Sequence, residues 1–154
     1  MKLKKEKEKG MKRGKEETEK EKAWNDTRQL MESYSELKRY IENAVTEEKE
    51  INPGKYKEYE KLKGENAELK SIKESKAQTA MMIINIERAM EEVKEEYAKK
   101  GLLYKYQAFE MRYIEQKTLE DIAEKLNCGK NSPANWIKEI NRKMAVKLYG
   151  VKAL

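Results

Sequence analysis

Apolar residues along this chain fall into stretches of helical spacing separated by polar and glycine-containing breaks. In the first stretch Leu30, Tyr34, Leu37, Ile41 and Ala44 recur at alternating steps of four and three, which lines them up on one face of an α-helix. Asn25, Asp26 and Thr27 stand just before that stripe and are residue types that cap helix starts, so the helix is expected to begin there. Asn52-Pro53-Gly54 should end or interrupt it. A weaker pattern follows at Tyr59, Leu62, Asn66 and Leu69, with Gly64 lowering its helical propensity. The strongest stripe is Thr79, Ile83, Ile86, Met90, Val93 and Tyr97, closed by Lys100-Gly101 as a basic last turn and C-cap. Each stripe runs for about two or three heptads, short of a sustained coiled-coil seam. They predict amphipathic helices packed on one another or on a second subunit, with Met81, Met82 and Met90 filling gaps in the core.

The last third predicts shorter elements. Leu102 to Gln116 reads as one helix with Tyr106, Phe109, Tyr113 and Ile114 among its apolar positions. Thr118-Leu119-Glu120-Asp121 is a near capping box, with Asp in place of the usual Glu or Gln. The short helix behind it carries Leu119, Ile122, Ala123 and Leu126 on its inner face. Asn127-Cys128-Gly129-Lys130 is a turn, and Ser132-Pro133 offers an N-cap followed by proline at the first helical position. The final helix turns Trp136 or Ile137, Ile140 and Met144 inward and ends at Tyr149-Gly150. Two helices joined by a tight glycine-containing turn and braced by a third have helix-turn-helix geometry, with Ala123 where the pair must come close. Any three-helix bundle shares these features. The predicted fold is all-α, with N-terminal amphipathic helices followed by a C-terminal three-helix helix-turn-helix module. Residues 1–22, a Lys/Glu segment without a stripe, are expected to be a disordered tail. Residues 23–100 form a helical region able to serve oligomerisation, and residues 101–154 form the helix-turn-helix domain.

Charge changes the picture in the last third. Of 154 residues, 38% are hydrophobic and 42% charged, against about 25% charged in an average domain. The net charge is +6, and after Asn127 six basic residues face Glu139 alone. A basic cluster that local is the footprint expected of a polyanion partner, although a basic helix end opposing the helix dipole has the same composition. A single cysteine, Cys128, excludes an internal disulfide and fits a reducing compartment. The longest apolar run, Ala80–Ile84, is too short to span a membrane, and no apolar signal segment is present, so a cytoplasmic location is expected.

Catalytic constellations are missing from the pattern. The chain has no histidine, so neither a Ser/Cys–His pair nor a Cys/His zinc site can be assembled. Gly129-Lys130-Asn131-Ser132 resembles the end of a phosphate-binding loop, but Glu124 occupies the place of the upstream glycine and no Ser or Thr directly follows Lys130. Carboxylates alternate with lysines at helix spacing, as solvated ion pairs do. No enzyme activity, cofactor or metal is expected.

Ala108-Phe109-Glu110-Met111-Arg112-Tyr113-Ile114, with Thr118-Leu119-Glu120-Asp121-Ile122-Ala123-Glu124-Lys125-Leu126, resembles sigma-70 region 4 over about a third of the chain. The Arg-Tyr and Ile-Ala pairs are its more specific parts. Leu30-Met31-Glu32-Ser33-Tyr34-Ser35-Glu36-Leu37-Lys38-Arg39-Tyr40 resembles the opening helix of small phage and prophage regulators of the ArpU and RinA type, associated with activating late packaging or lysis genes. The Gly129–Pro133 segment departs from region 4: either the turn is about three residues longer, or the helix begins at Gly129 and holds Pro133 in its first turn. The resemblance implies a sequence-specific DNA-binding transcriptional regulator. Its partner is double-stranded DNA, with RNA polymerase a candidate second partner and homo-oligomerisation left open. Gln116, Lys117 and Thr118 are then expected at backbone phosphate. Lys130, Asn131, Ser132, Asn135 and Lys138 are expected at or near the major groove, where Asn pairs with adenine and Lys with guanine or phosphate. Arg142 and Lys143 are assigned to phosphate. Two rival readings are a phage packaging component such as a small terminase subunit, and a helical interaction protein that touches no DNA.

Overall fold

A computed structural model describes residues 16–50 and 67–154, with side chains at 16–43 and 72–154. Every regular element among these residues is helical: α1 (Glu19–Glu50), α2 (Ala67–Lys99), α3 (Leu103–Tyr113), α4 (Leu119–Lys125), α5 (Ser132–Tyr149) and a 3₁₀ turn, Gly150–Ala153. No described helix is long and apolar enough to cross a membrane. The all-α expectation therefore holds for the described residues.

Helix α1 starts earlier than its capping pattern predicts. The Thr18 hydroxyl accepts from the Glu21 N–H at 3.1 Å, and Glu19 and Glu21 put negative charge at the helix's positive end. Asn25, Asp26 and Thr27 lie inside the helix rather than at its cap. Thr27 is buried and donates its hydroxyl to the Ala23 carbonyl one turn back, at 2.7 Å. The expected tail is thus helical from Glu19, because Ala23, Thr27 and Met31 have a surface to pack on; residues before 16 lie outside the described residues. The buried face of α1 continues through Tyr34, with Leu30, Leu37 and Ile41 packed beside it. The Asn52-Pro53-Gly54 break and the pattern at Tyr59, Leu62 and Asn66 also lie outside the described residues.

In α2 the stripe is buried from Ile83 onward: Ile83, Ile86, Met90, Val93 and Tyr97 face the core, joined by Ala89, while Thr79 is only partly covered and donates its hydroxyl to the Ser75 carbonyl at 2.8 Å. Met90 alone of the three methionines is buried, since Met81 is 62% exposed and Met82 only partly covered. The helix ends as its sequence predicts. Gly101 takes φ +71°, and the N–H groups of Gly101 and Leu102 return to the carbonyls of Ala98 (3.1 Å) and Tyr97 (2.8 Å). That pairing satisfies carbonyls a helix end otherwise leaves open.

An aromatic cluster on α3 forms the centre. Phe109 is fully buried, stacked on Tyr106 at 5.7 Å and edge-on to Tyr113 at 5.0 Å. Ile114 does not join them: it follows the last turn of α3 and is 45% exposed. Helix α5 contributes Ile137, Ile140 and Met144 and touches every other helix and the 3₁₀ turn. Between Trp136 and Ile137 the inward position goes to Ile137. Trp136 stays partly covered, edge-on to Tyr104 at 5.3 Å. A second small cluster of Ala23, Ala145 and Ala153 seats α1 and the 3₁₀ turn on α5.

Met31 and Phe109 belong to the same buried cluster, so α1 and the C-terminal helices should unfold together. Met31→Ala should lower stability by about 2–5 kcal/mol and Phe109→Ala by about 3–5 kcal/mol, each in one cooperative denaturant transition. A Met31→Ala protein with the parent's midpoint would show that α1 is not docked there.

Burial, followed by the nearby charge of Glu139, pushes the Tyr97 hydroxyl up to about 12. Burial likewise raises Tyr106 and Tyr113. The fold therefore favours the neutral phenols. That contribution is complete below the unfolded value of about 10 and is lost as pH rises through the folded values. Thermal midpoints should hold up to about pH 10 and fall between there and about 12, less steeply in Tyr97→Phe; an equally steep fall in that variant would remove Tyr97 from the explanation.

Candidate nucleic-acid interface

The segment between α4 and α5 sets which residues of α5 face outward. Asn127 takes φ +51°, and the N–H groups of Asn127 and Cys128 return to the carbonyls of Glu124 (3.2 Å) and Ala123 (3.0 Å). The left-handed residue is thus Asn127. Gly129 is not required for tightness, because a Cβ there would meet only Ser132 Oγ at 3.5 Å. Helix α5 then begins at Ser132, with Asn131 at the N-cap position, no side-chain cap bond, and Pro133 buried in the first turn. Ser132 is accordingly the first helical residue and not the cap. Proline is tolerated there because first-turn N–H groups have no partner inside the helix. Of the two arrangements for Gly129–Pro133, the longer turn is the one found. Asn131, Asn135, Lys138 and Arg142 follow at steps of four, three and four on one exposed flank.

The cations after Asn127 divide between two flanks. Lys143 lies 3.6 Å from Glu96 and over the Tyr97 ring, while Lys147 bridges Glu92 (3.1 Å) and Glu96 (3.2 Å). The hydrogen bond from Lys147 holds the Glu96 carboxyl below its ordinary value. Glu139 turns toward Lys105, at 3.8 Å. These three residues are engaged with α2 and α3, so the structure does not bring Lys143 to the flank of Lys138. Among the described residues Lys130, Lys138 and Arg142 make no ion pair. Arg142 instead stacks on Trp24, 4.0 Å from the ring centroid.

At the α3–α4 turn, Gln116 is exposed with φ +56°. The Thr118 hydroxyl caps α4 by accepting from the Asp121 N–H at 3.2 Å. Lys117 sits near Glu115 at 3.9 Å, and the neighbouring Lys125 ammonium lowers its pKa. Arg112 donates to the Lys117 carbonyl at 3.2 Å, tying this turn to α3.

Between α1, the α3–α4 corner and α5 lies an open groove of about 480 Å³. Trp24, Arg28 and Glu32 line it from α1, Arg112, Tyr113 and Leu119 from the corner, and Lys138, Asn141 and Arg142 from α5. Asn141 is buried and donates from Nδ2 to the Tyr113 hydroxyl at 2.8 Å. Its Oδ1 has no hydrogen-bond partner among the described residues. Sequence reasoning missed Trp24, Arg28 and Asn141 as site residues. The available signal was the spacing Ala23, Thr27, Met31, which carries the α1 stripe back past its expected start.

No family model, curated protein or solved structure matches the chain.

Arg142 covers one face of the Trp24 indole, so Arg142→Ala should expose it. In a Trp136→Phe background the Trp24 emission should move to longer wavelength with little change in midpoint. Unchanged emission would mean that the stacking does not persist in solution.

Proposed function

We propose that this chain is a sequence-specific DNA-binding transcriptional regulator of the phage or prophage late-gene type, with α5 as its reading helix. One observation carries the DNA reading: an α5 flank that combines Asn131, Asn135 and Lys138 with no acidic residue, while Glu139, Lys143 and Lys147 are engaged elsewhere. Paired ions add little to a polyanion's attraction, whereas unpaired ones release counterions on binding. In this reading α4, the turn and α5 are the helix-turn-helix, and α3 braces it. Asn131 and Asn135 are the base readers, since a carboxamide matches the adenine edge. Lys138 is suited to guanine or phosphate. Lys130, Arg142 and the Gln116–Thr118 turn supply phosphate contacts that fix register. The late-gene role, and RNA polymerase as a second partner, rest on the resemblance to sigma-70 region 4 and to the ArpU and RinA regulators.

Selection from random duplex DNA should yield a defined sequence, bound by a monomer or dimer. Lys130→Ala and Lys138→Ala should each weaken binding and flatten its salt dependence by up to about one unit of slope. Lys143→Ala should leave the slope alone and change the thermal midpoint little. Asn135→Ala should fold normally and lose about 1–3 kcal/mol of discrimination at one base position. No retention on duplex DNA at low salt would refute the reading, and a ring-shaped oligomer without sequence preference would favour a packaging component.

A further inference from the structure

We propose that the groove between α1 and α5 is a second wall of the DNA site, in which Arg28 and Arg112 hold a stretch of phosphodiester backbone beside the strand edge that α5 reads. This inference rests on the DNA reading above. The groove carries four cations, Arg28, Arg112, Lys138 and Arg142, against Glu32 alone. Glu32 neutralises little: its contact with Arg28 is 3.9 Å long, and the two side chains are 57% and 62% exposed.

The cations come from three separate helices along an open groove, an arrangement suited to an extended anion rather than a compact one. Lys138 and Arg142 belong both to this groove and to the exposed flank of α5, so a strand seated here continues from the reading face. Part of the floor is polar, where Asn141, 7% exposed, donates from Nδ2 to the Tyr113 hydroxyl at 2.8 Å.

The test uses the full chain and its selected duplex, with affinity measured from 50 to 200 mM salt. Arg28→Gln should bind more weakly and lose about 0.9 of salt slope, roughly a threefold smaller loss of affinity across that range. Glu32→Gln should shift binding the other way, toward tighter complexes. Arg28→Lys should restore the parent's slope, and all three should keep its thermal midpoint and base preference. If Arg28→Gln and Glu32→Gln both keep the parent's affinity and slope, the groove is outside the interface while the DNA reading stands. A changed base preference with an unchanged slope would make Arg28 a base reader and overturn the backbone assignment. A parent protein that binds no duplex overturns both.

Discussion

One helix carries two demands that conflict. Helix α5 is the surface on which α1, α2, α3, α4 and the 3₁₀ turn all pack, and it is also the helix proposed to read DNA. Ile137, Ile140 and Met144 are committed to the core, and Ala145 disappears beneath α1 and the 3₁₀ turn. What is left for a partner is a narrow flank from Asn131 to Arg142. Because several helices hold α5, that flank has little freedom to move when a ligand arrives. A pre-organised surface avoids the ordering penalty a mobile helix would incur on binding.

The charged residues make sense once they are sorted by that constraint. Ion pairs such as Lys143–Glu96 and Lys38–Glu87 are partly exposed, and pairs of this kind contribute little to stability. Their effect is on distribution: α2 presents Glu92 and Glu96 to the flank of α5 that carries Lys143 and Lys147, drawing those cations away from the outer face. Stability comes from the buried aromatic and aliphatic cluster around Phe109, into which Met31, Ile86, Val93 and Ile140 also pack. A chain with 42% charged residues can therefore have a well-packed centre and still keep one flank of unpaired positive charge.

Local chemistry explains which parts of this architecture were readable beforehand. The stripe from Ile83 to Tyr97, the Thr118 cap and the Gly101 stop are decided by residues within a few positions of one another, and the sequence pattern predicts them. Asn25 to Thr27 predict too late a start for α1 because they are good caps in isolation; the docking of Ala23 and Thr27 on distant residues favours helix there. Gly129 invited the role of turn residue, yet Asn127 also tolerates left-handed backbone, and it is the one in that conformation. Lys143 and Lys138 are both basic residues of α5, and only the position of α2, reached through a segment outside the described residues, separates their fates. The groove is legible only in part: the Ala23, Thr27, Met31 spacing extends α1 to reach it, but Arg28 and Arg142 are brought to its two sides by packing alone.

The proposed interface also has a particular physical character. Lysine and arginine supply its positive charge, and the chain contains no histidine, the side chain whose ordinary pKa lies between pH 5 and 8. Ionic strength acts on such an interface directly, because each phosphate contact releases counterions and every such release is opposed by added salt. An interface of four groove cations plus Lys130, with carboxamides for base recognition, should thus be tuned by salt and by sequence. This division follows from the residue types: permanent charges supply long-range attraction, while Asn131 and Asn135 contribute discrimination only at contact.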